Sequence, residues 1–451
     1  MHFRFSAIWV FSKPPVRLLC KRADLPHPFD LFTEKRVGSC KICRKNFLSL
    51  FLPAVLIIKT CGLTPSASCQ NNKGRNLFMN KKETLEIRKQ FTNENCAITR
   101  ICGCYVDAEK EIRTELKEAF LSLPEEEAFK YYDIFRKTLS GTVGKNLITL
   151  DFPTDQEMPD GTQAWLLKLR DSRLEDDVLL EEFYEKIIKN YAYGENYYII
   201  LIHAAYDIPK KASDGMEMFD ASDDTYEYLL CSICPVKLSK AGLCYNAEKN
   251  SIEDRIRDWI VQAPDAGFLF PAFNDRNTDL HSMLYYTRNP EILQPSLMDG
   301  LFGCAAPLSA KGQKETFQEL LTESLGDACS YETVVNIHES LNELIEEKKD
   351  LPEPPTLKKP EMKQLLAENG ATEEILDQFD EQFDRAAGEK AEFLATNLTS
   401  QKALEVRTPD AVVKISPERA ALMETRIIDG RPCLVIPIED YVEVNGVPVR
   451  Y

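Results

Sequence analysis

Apolar positions along the chain follow two spacings, and each spacing predicts a different kind of element. Runs rich in β-branched and aromatic residues predict strands, whereas apolar residues three and four apart predict amphipathic helices. The predicted strands cover residues 97–107, 146–152, 196–208, 226–238, 266–273 and 280–287. The predicted helices cover residues 79–92, 108–121, 122–141 and 162–191, the last range as two helices. Helices and strands first alternate and then strands cluster, which favours an α/β or α+β fold over residues 79–305, with a mixed sheet flanked by helices.

The helix predicted at 122–141 has well-signalled ends. Ser122 is the expected N-cap, Pro124 lies in the first turn, and Glu125 stands three residues after the cap, as in a capping box. Gly141 is the expected C-terminal stop, since glycine readily adopts the left-handed conformation that ends many helices.

The pattern becomes helical after residue 305 and then changes again. The predicted order is a helical segment, a Pro-rich stiff linker, a helix pair and a small β unit, at 306–349, 350–360, 361–398 and 399–451. Gly370 separates the paired helices, predicted at 361–369 and 372–396. The Asp-Gly dipeptide at 429–430 and the Asn-Gly dipeptide at 445–446 are typical of tight hairpin turns.

Charge divides the chain at Met79. Residues 1–78 carry 13 Lys and Arg against 3 Asp and Glu, a net charge of +10, and the remaining residues carry 42 against 69, a net charge of −27. The codons of Lys73, Gly74 and Arg75 can spell a purine-rich ribosome-binding sequence shortly before the codon of Met79. We therefore expect residues 1–78 to be an untranslated upstream extension or a disordered leader.

The alternatives for residues 1–78 are a targeting segment or a separate domain. Residues 47–58 form an apolar run between basic residues, but twelve residues fall short of the roughly 20 that span a bilayer as a helix. The run also lies far from residue 1 and lacks a clear small-residue cleavage site after it, unlike a signal peptide.

Cysteine usage and charge indicate the compartment and the class of partner. Residues 79–451 contain nine of the 14 cysteines, an odd number that predicts reduced thiols and a cytoplasmic location. The net charge of −27 argues against broad binding to nucleic acid or to an anionic membrane, because both rely on basic surface. We expect a protein partner of unknown identity and no nucleic acid, and we expect no membrane if the chain starts at Met79.

Six stretches of the chain resemble a single family. They are "ENCAITRICGCYVD", "LKEAFLSLPEEE", "IFRKTLSGTVGKNL", "GFLFPAFNDRNTDLHSMLYYT", "SLNELIEEKK" and "TRIIDGRPCLVIPI". The family they resemble is the bacterial domain-of-unknown-function family 4317. The resemblance runs from Met79 nearly to Tyr451 and leaves out residues 1–78, which agrees with a start at Met79. It implies no activity and transfers no functional residue.

The segment "SGTVGKN" at 140–146 superficially resembles a phosphate-binding loop. Its two glycines lack the required four-residue spacing, and no Ser or Thr follows Lys145. It also follows a predicted helix and precedes a strand, whereas a phosphate loop leads from a strand into a helix. We interpret it as a helix end and a turn.

Two cysteine pairs are candidate metal ligands: Cys102 with Cys104, and Cys231 with Cys234. Four thiolates satisfy a tetrahedral zinc ion, so a structural zinc site is one hypothesis, and a redox pair is another. Both pairs lie in apolar strand patterns, where Cys231 and Cys234 are predicted to face opposite ways. The favoured interpretation is core packing by free thiols, with no cofactor evident.

A His/Asp group supplies the enzyme hypothesis. His203 and Asp207 are four apart on a predicted strand, and Asp275, Asp279 and His281 crowd a polar loop between two aromatic strands. Carboxylates with histidine support acid–base hydrolysis or hold a divalent metal, if the two segments converge. The alternative is ordinary turn chemistry, because Asn and Asp are common turn formers.

The sequence contains no recognisable catalytic or cofactor motif and carries modular appendages on a linker, and this combination favours binding over catalysis. The acidic helices are interpreted as solvated faces or as partner-binding helices, since apolar positions recur beside the charges. The leading hypothesis is a binding, regulatory or scaffold module, and the alternative is a hydrolase, possibly metal-dependent, built on the His/Asp group.

Overall fold

The computed structural model describes residues 79–211, 217–349, 351, 354–389, 391–420, 422–438 and 442–449. The leader predicted at 1–78 lies outside the described residues. Within the described ranges, no helix combines the length and the apolar character that crossing a bilayer requires.

The first part of the described chain combines twelve strands with five α-helices. The strands are β1 (Ile98–Val106), β2 (Ile112–Ala119), β3 (Leu147–Asp151), β4 (Tyr197–Lys211), β5 (Glu217–Leu238), β6 (Leu243–Asn246), β7 (Ser251–Asp254), β8 (Trp259–Val261), β9 (Ala266–Phe270), β10 (Ala272–Asn274), β11 (Asn277–Asp279) and β12 (Ser282–Thr287). The helices are α1 (Lys81–Arg88), α2 (Glu125–Thr138), α3 (Thr162–Asp171), α4 (Asp177–Asn190) and α5 (Pro295–Phe302).

A large sheet organises this part in the order β2-β1-β4-β5-β9-β12-β3, with β8 also paired to β5. Every ladder between these strands is antiparallel. The predicted sheet domain with flanking helices is confirmed. Of the two fold classes that the pattern left open, the antiparallel pairing corresponds to α+β.

Both faces of the sheet are covered, and this explains why the sequence of β4 is almost continuously apolar. Ile199 and Leu201 point into a core shared with α3, α4 and α5, whereas Ile200 and Ile202 point into a second core shared with α1 and α2. Because successive side chains of a strand face opposite ways, a strand buried on both faces needs apolar residues at nearly every position.

The helix predicted at 108–121 is wrong, since this segment forms β2. Asp107 Oδ1 accepts hydrogen bonds from the backbone N–H groups of Glu109 and Glu111, and Lys110 adopts a positive φ of 66°. This tight turn sends the chain back along β1, and most β2 side chains are exposed. Pairing with β1 therefore outweighs the helical preference of its Glu and Lys residues.

The helix α2 is confirmed, but its N-terminal cap differs from the predicted one. Pro124 occupies the N-cap position, and the Ser122 hydroxyl instead donates to the Ala119 carbonyl at 2.7 Å. A short 3₁₀ helix at Phe120–Ser122 precedes α2 and uses Ser122 for its own turn.

The second part of the described chain is helical and then β-rich. Its helices are α6 (Ala310–Leu325), α7 (Tyr331–Glu347), α8 (Lys359–Glu368), α9 (Glu373–Ala386), α10 (Ala395–Leu398) and α11 (Pro417–Ala420). Its strands are β13 (Thr356–Leu357), β14 (Phe393–Leu394), β15 (Leu404–Arg407), β16 (Val412–Ile415), β17 (Glu424–Ile428), β18 (Arg431–Val435), β19 (Val442–Val444) and β20 (Val447–Val449). The helix predicted at 372–396 is too long, because α9 ends at Ala386 and β14 follows.

A third core joins α6, α7, α8 and α9, with Phe317, Leu341, Leu366 and Phe383 among its buried residues. The C-terminal strands form three successive hairpins. The two predicted Asp-Gly and Asn-Gly turns are confirmed, since all four of their residues have a positive φ between 49° and 79°.

Candidate functional site

His203 and Asp207 lie on β4, where each has a local partner. His203 is fully buried, and its Nδ1 lies 2.7 Å from the Thr99 hydroxyl. Burial lowers the pKa of His203 and so favours its neutral form. Asp207 Oδ1 accepts a hydrogen bond from the Thr225 hydroxyl at 2.7 Å. These contacts are those of residues that stabilise the sheet.

The other three His/Asp candidates, Asp275, Asp279 and His281, do come together. They line one cavity of about 280 Å³, and neither His203 nor Asp207 belongs to its lining. The structure therefore brings three of the five predicted site residues to one place and holds the other two on β4.

Within that cavity, Asp279 is occupied by the loop itself. Its Oδ2 accepts from Asn274 Nδ2 at 2.7 Å and from the Ser282 hydroxyl at 2.9 Å, and its Oδ1 accepts from the His281 backbone N–H at 3.0 Å. Asp275 has a positive φ of 51° in the two-residue turn between β10 and β11. These contacts fit the turn-forming role that the sequence left open.

The four candidate cysteines are buried on two different faces. Cys102, Cys104 and Cys231 point into the core beneath α3 and α4, and Cys234 points into the opposite core. Leu201 pairs with both Cys102 and Cys231, so a full strand separates these two thiols. Two strand spacings are about 10 Å, whereas ligands of one zinc ion lie about 2.3 Å from it.

The chemistry of these thiols agrees with packing. Burial raises the pKa of Cys102 to about 11 and that of Cys104 to about 12, and it raises the pKa of Cys231 and Cys234 as well. A thiol must lose its proton to bind a metal or to attack a disulfide. Across the described residues, no group of three or more His, Cys, Asp or Glu side chains is arranged to hold a metal ion.

The segment at 140–146 connects α2 to β3 and contacts the helical part. Lys145 Nζ donates to the Thr396 carbonyl at 3.0 Å, and Asn397 Nδ2 donates to the Gly144 carbonyl at 3.4 Å. Burial lowers the pKa of Lys145. Lys145, in the turn that follows the end of α2, thus holds α10 against the sheet domain.

A surface feature that none of these motifs indicated is a two-stranded β-ribbon, residues 236–246 and 251–261, which we call the arm. The β5–β8 ladder pairs Val236 with Val261, and the β6–β7 ladder pairs Leu243 with Asp254, in the same register. Two backbone hydrogen bonds of 2.8 Å continue this register between the ladders, from Ser239 N to Asp258 O and from Arg255 N to Gly242 O. The ribbon is therefore continuous from the sheet to its four-residue turn at 247–250.

The arm is amphipathic. Leu243, Tyr245, Ile252 and Ile256 share one face, where their exposed fractions are 76%, 61%, 64% and 83%. Asp254, opposite Leu243, adds one charge to this face. We call these four apolar side chains the arm face.

The opposite face of the arm is polar and internally bonded. Glu253 accepts hydrogen bonds from Ser251 Oγ at 2.9 Å and from Asn246 Nδ2 at 3.2 Å, and it lies 3.3 Å from Lys249 Nζ. These partners lower the pKa of the Glu253 carboxyl. The arm thus has a polar face whose groups can hydrogen-bond to water and an apolar face whose side chains are exposed to water at a cost in free energy.

Comparison with known proteins places this fold in a family. The sequence profile of Domain of unknown function (DUF4317) matches residues 79–447, which is most of the chain. The chain belongs to the DUF4317 family. No curated protein and no solved structure matches it. The match covers the sheet domain, the arm, the helical part and the C-terminal hairpins of this DUF4317 chain.

Sequence reasoning passed over the arm because it recognised strands only by dense apolar runs. The signal was present in "LCYNAEKNSIED", where apolar and polar residues alternate on both sides of a polar turn. Alternation predicts a strand with one apolar face, but only the structure shows that this face is exposed.

Proposed function

We propose that this DUF4317 chain is a cytoplasmic binding or scaffold module that takes up a protein partner on the arm face. The observation that carries the proposal is the exposure of Leu243, Tyr245, Ile252 and Ile256 on one side of an ordered ribbon. Contiguous exposed apolar surface of this kind marks interaction sites in soluble proteins.

The free energy that burial of these side chains would contribute supports a partner. Fully burying a large apolar side chain contributes about 1.5–3 kcal/mol, so side chains that are 61–83% exposed retain about 1–2 kcal/mol each for an interface. Four such side chains supply a hydrophobic centre for the interface. The entropy cost of association is subtracted from the free energy that their burial contributes.

A cytoplasmic location is supported by the state of the cysteines. All nine from Cys96 to Cys433 are free thiols, and Cys244 and Cys329 are exposed. Exposed free thiols persist in a reducing compartment.

Photo-crosslinking in the native host tests the proposal. The photoreactive residue p-benzoylphenylalanine replaces Tyr245 in one variant and Cys244 in the matched control. Both positions are exposed neighbours on β6, but they face opposite sides of the arm. We expect a discrete crosslinked protein from position 245 and none from position 244.

The crosslinked partner is then purified, and its affinity for the chain is measured by calorimetry. Ile256→Ser should weaken binding about 5- to 30-fold, which corresponds to the 1–2 kcal/mol above. Equal crosslinking from both positions, or an affinity that Ile256→Ser leaves unchanged, would refute the arm face as the binding surface.

A further inference from the structure

A second surface, separate from the arm face, lies at the base of the arm. It is a groove of about 830 Å³ between α2 and the stretch from Trp259 to Pro264. Sites for small molecules usually have volumes of roughly 300–1,000 Å³. None of the four arm-face residues lines the groove. The groove is therefore large enough for a small molecule and is independent of the arm face.

One wall of the groove carries side chains of β8, on the face of the sheet that α2 covers. Cys234 of β5 points into the core shared with α1 and α2, so Val236, two residues later, points the same way. Paired residues of an antiparallel ladder share a face. Val261 pairs with Val236, so Val261 and Trp259 also point to the side of α2. Trp259 is 56% exposed and Val261 is 40% exposed, and this wall therefore presents an uncovered aromatic ring.

The opposite wall is one face of α2. The α2 residues of this face line the groove three and four positions apart, the spacing that places side chains on one side of a helix. They are Glu127, Lys130, Tyr131, Ile134 and Lys137. Ile134 is half-buried, and it lies between the two lysines. This wall therefore presents an apolar position with a cation on either side.

The contacts of α2 show where each lysine lies over the sheet. Lys137 precedes Thr138, which contacts β5 through its hydroxyl. Lys130 precedes Tyr131, whose hydroxyl lies 3.3 Å from that of Tyr198 on β4. Because β8 pairs with β5, on the side away from β4, Lys137 is the lysine nearer to β8.

The charge of the groove is opposite to that of the rest of the protein. Four cations and two carboxylates line it, a net charge of +2 in a region of net charge −27. One of the cations, Arg136, is paired with Asp133 at 2.7 Å. Within the described part of the chain, no carboxylate lies within ion-pair distance of Arg88, Lys130 or Lys137. The groove therefore attracts anions that the surrounding surface repels.

We propose that this groove binds a small aromatic anion, which is a molecule that joins a planar ring to a carboxylate or phosphate group. The ring packs between Trp259 and Ile134, and the anionic group pairs with Lys137, while Lys130 adds to the positive field. An exposed tryptophan offers a large apolar surface on which a ring can stack. A lysine ammonium is a point charge, so it pairs with a carboxylate or with a phosphate.

The dye 8-anilinonaphthalene-1-sulfonate is a probe of this class, since it joins aromatic rings to an anionic group. Its neutral parent, N-phenyl-1-naphthylamine, has the same rings without the sulfonate and serves as the matched control. Both are titrated into the full chain and followed by dye fluorescence. We expect saturable binding of the sulfonate, with a higher affinity than that of the neutral dye.

Charge variants of the chain test which surface holds the anion. Lys130→Glu/Lys137→Glu should weaken binding of the sulfonate about tenfold, since two attractive contacts become repulsive. The same variant should leave binding of the neutral dye unchanged, which also shows that the groove remains folded. Lys168→Glu/Lys189→Glu makes the same charge change at exposed positions on α3 and α4, on the other face of the sheet, and should leave both dyes unaffected.

Displacement of the bound sulfonate distinguishes the two anionic groups. Adenosine monophosphate is compared with adenosine to test a phosphate, and indole-3-acetate is compared with indole to test a carboxylate. We expect at least one of the two anions to displace the dye at concentrations where its neutral partner does not.

Four results would overturn the proposal. They are the absence of saturable binding, equal affinity for the two dyes, equal binding of the sulfonate to both charge variants, and failure of both anions to displace it. Loss of sulfonate binding in Ile256→Ser would place the dye on the arm face, and that also overturns the proposal. Because the arm face is intact in both charge variants, their results are independent of the crosslinking result.

Discussion

Thr138 and Ser232 form a buried contact that fixes α2 to the sheet and offers a quantitative test of the structure. Both residues are fully buried, and their hydroxyl oxygens are 2.6 Å apart. Thr138 Oγ1 also lies 3.2 Å from the Ile134 carbonyl, which can only accept. Each hydroxyl has one proton, so Thr138 donates to Ile134 and Ser232 donates to Thr138.

This chain of donors makes the two single substitutions unequal. Thr138→Val keeps the side-chain shape but leaves the Ser232 hydroxyl buried without an acceptor, which costs about 1–3 kcal/mol. Ser232→Ala leaves Thr138 bonded to Ile134 and removes one net hydrogen bond, which costs about 0.5–1.5 kcal/mol. In the double variant no buried hydroxyl is left without a hydrogen-bond partner. The double variant should therefore lose no more free energy of unfolding than Thr138→Val alone.

The free energies of unfolding come from urea titrations of the four proteins, followed by far-ultraviolet circular dichroism at pH 7. We expect a coupling energy of about 1 kcal/mol between the two sites. Losses that simply add, or a larger loss for Ser232→Ala than for Thr138→Val, would show that the donor order inferred here is wrong.

Three further predictions concern the glycine beneath Tyr198, a buried histidine and the cysteines. Gly103→Ala should lower the free energy of unfolding by about 1–3 kcal/mol in the same urea assay, because the added Cβ would lie 2.6 Å from Tyr198 Cζ and must displace the ring. Burial lowers the pKa of His203, so below the ordinary pKa of about 6.5 the unfolded chain binds more protons than the folded chain. The stability of the protein should therefore fall as the pH drops from 7 to 5. Urea titrations at these two pH values should show a smaller loss of stability for His203→Gln. Iodoacetamide should modify Cys244 and Cys329 in the native protein, whereas mass spectrometry should find the four buried cysteines of β1 and β5 modified only after unfolding.

The sequence identified the sheet domain because its central strands are apolar on both faces. The dense apolar runs of β4 and β5 are distinctive, since helices on either side of the sheet cover both faces of these runs. The segment that became β2 shows where this reasoning fails. Its Glu and Lys residues suit an exposed helix and an exposed edge strand equally, and the turn at Asp107 decides between them.

The candidate site was predictable only in its local part. Asp275, Asp279 and His281 are close in sequence, and the cavity they share follows from a two-residue turn. Whether His203 lies close to such a group depends on which strands are neighbours, and a single sequence does not specify strand order. Similarly, sequence spacing predicted the opposite orientation of Cys231 and Cys234, but not the strand that separates Cys231 from Cys102.

The arm face follows from one structural fact, which is that β5 extends past β9 and pairs there with β8. Within the sheet, β9 pairs with both β5 and β12, so its backbone and side chains are covered. Among the described strands, β8 pairs only with β5, and the ribbon continues through β6 and β7 to its turn. The apolar side chains of the arm face are therefore exposed. Native proteins usually cover exposed apolar surface of this kind, and this is the reason for proposing a partner at the four side chains of the arm face.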